Sequence, residues 1–226
     1  MLRKPFQLVI LICLFVCISC SEKIVTSDYY FQPEMFKSSK VYTFKSVENP
    51  TKVQYWKIST TAKNTLFIIR NTSKNQLIDE LKEELSDRGS KMVSYFKSYT
   101  QNNEWIQNTR FYPKENDLMK WNLKDTAVYE GEFVIKGHIL NLRRERRFLE
   151  KSTLNLLSNT YEVLVFKDQF TLESLTDPTP KVKMWYDHDG NDFVQYSYFA
   201  KGIGLVKFKR EFENGQIDTM ELTDIQ

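Results

Sequence analysis

The chain has 226 residues, 41% apolar and 14% aromatic, which is enough to bury a sizeable core and excludes a disordered polypeptide. Its 32 basic and 29 acidic residues give a formal charge of +3; without Arg3 and Lys4, which sit in a leader-like segment, the remainder is nearly neutral and offers no electrostatic case for nucleic acid. All three cysteines, Cys13, Cys17 and Cys20, lie near the N-terminus, which excludes disulfide scaffolds, thiolate metal sites and cysteine nucleophiles from the rest of the chain.

Arg3 and Lys4, the apolar run from Leu8 to Val16, Cys17-Ile18-Ser19-Cys20 and the polar Ser21-Glu22-Lys23 follow the order of a secretory signal. The apolar run falls well short of the ~20 residues that a helix needs to cross a bilayer core. The segment resembles a bacterial lipobox, although Cys17 stands where that pattern usually has Leu. The resemblance implies a signal peptide over residues 1–19, lipidation of Cys20, and a tether over 20–35 leading into a single β-rich domain over 36–226. Each buried acyl methylene contributes ~0.8 kcal/mol, so several chains on Cys20 anchor the protein to a membrane effectively for good. Ser21 is similar to the residue that directs enteric lipoproteins to the outer membrane. The expected location is therefore the cell envelope, as an outer-membrane lipoprotein facing the periplasm or the surface.

From Val41 onward, short runs of β-branched and aromatic residues alternate with polar ones and are broken by Asn, Gly, Asp, Lys or Pro, the pattern of an antiparallel all-β domain. Val41-Tyr42-Thr43-Phe44 and Val53 to Ile58 read as strands around a turn at Glu48-Asn49-Pro50. Leu66-Phe67-Ile68-Ile69 is continuously apolar and predicts a strand covered on both faces. Asn75 to Asp87 fits either an amphipathic helix through Leu77, Leu81 and Leu85 or a strand ending in an Asp87-Arg88-Gly89 turn. Further runs lie at Met92 to Tyr99, Trp105 to Tyr112, Leu118 to Leu123, Val128 to Ile135, Ile139 to Phe148, Tyr161 to Leu172, Val182 to Tyr186, Phe193 to Phe199, Leu205 to Phe212 and Ile217 to Leu222. Pro178-Thr179-Pro180 reads as a loop. Roughly a dozen strands exceed what one flat sheet holds, so the expected fold is mainly β: a strongly curved antiparallel sheet or half-barrel, with at most one helix.

Candidate sites are few. Asp187-His188-Asp189-Gly190-Asn191-Asp192 gathers carboxylates as a calcium loop does, but the EF-hand spacing fails and a hairpin turn accounts for the same residues. His138 and His188 are the only histidines, and neither sits in a nucleophile or zinc motif, so no catalytic residue, metal or cofactor is expected. Arg143-Arg144-Glu145-Arg146-Arg147 could meet phosphate or anionic head groups, but the favoured reading is an exposed strand end or edge, charged against unwanted pairing. On a strand, Arg144 and Arg146 share one face, and Arg143, Glu145 and Arg147 share the other. The dense aromatics, among them Tyr42, Phe44, Tyr55, Trp56, Trp105, Tyr112, Trp121, Trp185, Tyr196 and Tyr198, could line an apolar hollow or simply fill a core.

Tyr198-Phe199-Ala200-Lys201-Gly202-Ile203-Gly204-Leu205-Val206-Lys207 resembles a strand-turn-strand near the end of many Gram-negative envelope lipoproteins, which are similar to the TapB-like half-barrel families. The resemblance covers the lipobox and about the last forty residues, and implies fold and location rather than chemistry. Glu213-Asn214-Gly215 reads as the turn of the closing hairpin. The expected protein is non-enzymatic and bound to the membrane through the lipid on Cys20. Its role is to interact with another envelope protein as an accessory or, in the alternative, to carry a lipid or other apolar ligand.

Overall fold

A computed structural model describes residues 24–101, 104–135, 137–176 and 192–226. The alternating runs become strands because each carries apolar side chains on one face of the pleat and polar ones on the other. They are β1 (Lys40–Ser46), β2 (Val53–Ala62), β3 (Thr65–Thr72), β4 (Leu77–Leu85), β5 (Gly89–Gln101), β6 (Glu104–Lys120), β7 (Ala127–Ile135), β8 (His138–Leu156), β9 (Asn159–Ser174), β10 (Phe193–Ala200), β11 (Gly204–Phe212) and β12 (Ile217–Ile225). Each pairs antiparallel with its sequence neighbours, and β12 returns to β1, with Phe44 opposite Leu222 and Lys45 opposite Glu221.

The sheet is therefore a closed barrel, where the sequence pattern suggested a half-barrel or open curved sheet. Closure satisfies both edges at once, and the coiling is concentrated at register shifts such as those at Lys82/Glu83, Phe148/Glu150 and Tyr198/Phe199. The ambiguous segment is strand β4, held on both sides by β3 and β5; two complete hydrogen-bond ladders override the helical propensity of its Glu and Lys residues. The runs at Trp105–Tyr112 and Leu118–Leu123 largely merge into β6, whose register shifts between Pro113 and Glu115. Leu66 and Ile68 point inward and are buried, but Phe67 and Ile69 face the outer wall half-buried, so β3 is not covered on both faces.

The outer wall carries charge. Arg143 bridges Glu130 and Glu145, Lys207 meets Glu221 at 2.7 Å, and Lys209 meets Glu211 at 2.6 Å. Such a wall is solvated and unlike the apolar band of a barrel that faces lipid. No helix among the described residues is long and apolar enough to cross a membrane.

Barrels of about eight strands are just filled by their own side chains, so twelve leave a lumen that needs additional material. At one end the N-terminal segment supplies it. Two short 3-10 turns, Thr26–Tyr29 and Pro33–Phe36, fold into the mouth beside the β10–β11 turn and bury Tyr29, Tyr30, Phe31 and Phe36. The Gly202 amide donates to the Asp28 carbonyl at 2.8 Å, and the Thr60 hydroxyl donates to the Pro33 carbonyl at 2.7 Å. Phe31 lies edge-on to Tyr42 and flat against Gly204, where a Cβ would come within 2.3 Å of the ring and φ is +98°. Only glycine fits both demands. These residues join Phe44, Ile58, Leu66, Phe166, Phe208 and Met220 in one apolar cluster; a second, with Phe111, Phe133, Ile135, Leu140 and Leu142, lies toward β5–β9.

Candidate functional site

Between the two clusters the lumen is charged. The inward face of β8 begins as Leu140 and Leu142 and continues as Arg144 and Arg146, each only 6% exposed. The basic run thus splits between faces as the pleat requires, but the simple expectation of an exposed strand end or edge is overturned: β8 is paired on both sides, and two of the four arginines point into the barrel.

Burial of a guanidinium is tolerable only with partners, and the neighbouring strands supply them. The inward face of β9 runs Phe166, Asp168, Phe170, Leu172, and that of β10 runs Phe193, Gln195, Ser197, Phe199. Arg146 makes a two-point pair with Asp168, Nε to Oδ1 at 2.6 Å and Nη2 to Oδ2 at 2.9 Å, and Ser197 donates to the same carboxylate at 2.7 Å. Burial alone would raise the Asp168 pKa, but the adjoining Arg146 holds it below the ordinary range. From Ser197 the chain of bonds runs outward: Gln195 Nε2 donates to Ser197 Oγ at 2.9 Å, and Arg210 Nε donates to Gln195 Oε1 at 3.0 Å.

Two further carboxylates complete the layer. Asp79 on β4 takes a two-point pair from Arg70 and a hydrogen bond from the Tyr95 hydroxyl at 3.0 Å. Glu83 accepts from Tyr30 at 2.7 Å and from Ser90; its burial pushes its pKa up, more than those hydrogen bonds and the nearby arginines pull it down. Tyr30 is thus the point at which the N-terminal plug is hydrogen-bonded into the charged layer.

Arg144 differs from the others. Its Nη2 donates to the Leu118 carbonyl at 2.6 Å and its guanidinium lies 4.4 Å from the centre of the Tyr129 ring, but its Nε is buried without a hydrogen-bond partner. Burial, and then repulsion from Arg146, lower its pKa. Arg210 has an amide and two rings for neighbours, Phe193 at 5.2 Å and Phe208 at 5.1 Å.

These groups surround a cavity of about 150 Å³. Arg70, Arg144, Arg146 and Arg210 line it together with Tyr30, Trp56, Tyr129, Phe170, Phe193 and Phe199. Arg70 and Arg210 are half-buried near the strand ends remote from the plug, and Arg144 and Arg146 are buried deeper. The arrangement can hold an anion against guanidinium groups and an apolar body against rings.

Most residues singled out in the sequence lie elsewhere. Of the aromatics, only Trp56 lines the cavity; Tyr42 and Phe44 belong to the plugged-end core, Trp121 packs 5.5 Å from Tyr30, and Tyr55, Tyr112, Tyr196 and Tyr198 face outward. Trp105 sits on β6, and Trp185 lies outside the described residues. His138 follows Gly137 in the β7–β8 turn, its ring 3.5 Å from the Thr176 hydroxyl. Cys20, the prolines at 178 and 180, the run at Val182 to Tyr186, and residues 187–191 with His188 all lie outside the described residues. Asp192 is bound at the barrel wall, where it accepts from the Leu172 amide at 2.9 Å. Among the described residues, no cluster could hold a metal ion.

The missed residues, Asp168, Gln195, Ser197 and Arg210, do leave a sequence signal: polar residues at the inward phase of strands whose other inward positions are apolar. Reading that phase requires knowing which face is in.

No protein-family model matches the chain, and no curated protein does. Solved structures with the same fold include a candidate lipoprotein of Parabacteroides distasonis, 10% identical, with a TM-score of 0.56 over 88% of this chain and 98% of that one. Another is a candidate exported protein with a YmcC-like fold from Bacteroides fragilis, 11% identical, with a TM-score of 0.51 over 87% of this chain and 99% of that one. At such identities the likeness is one of fold: it extends to nearly the whole of both chains and carries over no residue roles and no tie to the TapB-like families.

Proposed function

We propose that the protein is a lipid-anchored envelope protein that holds a small ligand in the lumen of its barrel without transforming it. The observation that carries this reading is the aromatic-lined cavity of about 150 Å³ with buried Arg144 on its wall, Nε unpartnered. A purely structural interior of this width is more stable when filled with apolar side chains than with arginines, since replacing buried ion pairs by well-packed hydrophobes is often neutral or favourable. A scaffold whose only task is to contact other proteins has no use for that arrangement.

The cavity also narrows the alternative of an apolar-ligand carrier. About 150 Å³ is the size of an apolar cavity that accepts benzene, so the part of a ligand held inside is one ring or a short chain rather than both chains of a lipid. Binding rather than catalysis is supported by the carboxylates: Asp79 and Asp168 are locked to arginines, and neither they nor Glu83 line the cavity.

Envelope location rests on the lipobox-like segment ending at Cys20 and agrees with the descriptions given to the two structural relatives. Four residue spacings separate Cys20 from Ile24, a reach of at most about 14 Å, so a lipid on Cys20 turns the plugged end of the barrel toward the membrane. Cys20→Ala should release the chain to the soluble fraction without altering its unfolding transition. The decisive experiment is native mass spectrometry of the full chain recovered from its own membranes. A stoichiometric small passenger supports ligand binding; a lumen found repeatedly without one returns the protein to an accessory role through protein contacts.

A further inference from the structure

We infer that the ligand is a small organic carboxylate with a benzene-sized apolar body, its charge taken by Arg144 and Arg210 and its body by the rings of Tyr129, Phe170, Phe193 and Phe199. The inference rests on the ligand-binding reading above and specifies its chemistry.

The charge layout requires an anion. Asp168 is committed to Arg146 and Ser197 and Asp79 to Arg70 and Tyr95; Glu83 accepts from Tyr30 and Ser90 through Oε2, while its Oε1 is buried without a hydrogen-bond partner and does not reach Arg144. Arg144 is left with a carbonyl and a ring face, and Arg210 with an amide oxygen and two ring faces. Arg144 stands two residues from Arg146 on the same face of β8; Asp168 pairs directly with Arg146, while Asp168 and Glu83 act on Arg144 only through space. A buried guanidinium stays protonated, and Arg144, which lines the cavity and hydrogen-bonds to the Leu118 carbonyl rather than to a carboxylate, is matched by an acceptor carrying negative charge. An apolar passenger alone would leave the Arg144 charge without a directly bonded carboxylate.

The rings set the remainder of the ligand. Phe170 and Phe193 stack with centroids 4.4 Å apart, and Tyr129 meets Phe170 edge-on at 6.4 Å, forming one aromatic wall beside the arginines. A free inorganic anion would satisfy the arginines and leave this wall unused. The cavity volume admits one ring or a short acyl chain.

The test is calorimetric titration of the full chain with sodium benzoate, benzamide and inorganic phosphate, repeated on Arg144→Met and Arg210→Gln. Benzoate should bind once per chain, with benzamide and phosphate each weaker by about tenfold or more, as expected for loss of a charge-assisted bond or of the ring contacts. Arg144→Met should weaken benzoate by about tenfold to a hundredfold while its thermal midpoint stays the same or rises; a merely structural arginine would lower the midpoint instead. Arg210→Gln, a change at a half-buried position, should weaken benzoate with the fold intact, which keeps the test decisive if Arg144→Met does not fold. Benzamide binding as well as benzoate, or benzoate binding unchanged by either substitution, would overturn the carboxylate and leave lumen binding standing. Phosphate binding as well as benzoate would overturn the aromatic body. No binding of any probe would overturn the inference, and together with a passenger-free protein in native mass spectrometry it would remove the ligand-binding reading as well.

Discussion

The plugged end of the lumen and its middle are filled by opposite means. At the plugged end Phe31, Phe36, Tyr42, Phe44 and Phe208 interlock as rings, and what holds them is the removal of apolar surface from water. In the middle, Arg144 and Arg146 on β8, Asp168 on β9 and Glu83 on β4 are buried, as those rings are. The first filling tolerates exchange of one hydrophobe for another of similar volume. The second is less forgiving at Arg146 and Asp168, because each of these charges depends on one specific neighbour. The contrast places exchangeable apolar packing at one level of the barrel and specific charge pairing at the next.

The largest effect should come from breaking a pair in the middle. Asp168→Ala leaves Arg146 buried without its carboxylate and should cost about 3–5 kcal/mol, read from chemical denaturation. A plug residue comes next: Phe36→Ala opens a cavity in the ring cluster and should cost about 3 kcal/mol, with lost protection of the plug amides in hydrogen exchange. Gly204→Ala is smaller, about 1–3 kcal/mol, because the chain must leave positive φ or displace Phe31. A result near zero there would mean that the plug seats without Phe31. The smallest effect is one of slope. Burial raises the Glu83 carboxyl in the folded state, so its favourable contribution is present in acid and is lost as pH rises through that raised range. Glu83→Gln should flatten this decline, seen as urea midpoints that change less between acidic and neutral pH than those of the unsubstituted chain.

Much of the wall was legible because β-strands announce themselves locally. The alternation at Val128 to Ile135 or Phe193 to Phe199 needs no knowledge of neighbours, and Gly202 with Gly204, or Asn214 with Gly215, marks a turn by its chemistry alone. Closure was not legible: the pairing of β1 with β12 depends on accumulated twist and register across the whole sheet. The plug was hidden for a related reason. Tyr29-Tyr30-Phe31 shows no periodicity and becomes intelligible only once there is a lumen to enter. The site was half-visible, since the alternation put Arg144 and Arg146 on one face, but charge predisposes any reader to call that face the outside. The inward phase of β8 is set by Leu140 and Leu142 four residues earlier, and following it would have placed both arginines indoors.

The seam between β1 and β12 also has a meaning in time. Val41 and Gln226 exchange backbone hydrogen bonds at 2.9 and 3.0 Å, so a contact spanning nearly the whole folded chain is needed before the cylinder is complete. Contacts of such separation are slow to form, because the loop entropy is lost before any bond is gained. Until the last strand arrives, β1 remains an unpaired edge with a row of free donors and acceptors. The sheet keeps two open edges until β12 pairs with β1, and the lumen with its buried charges exists only once that seam has formed.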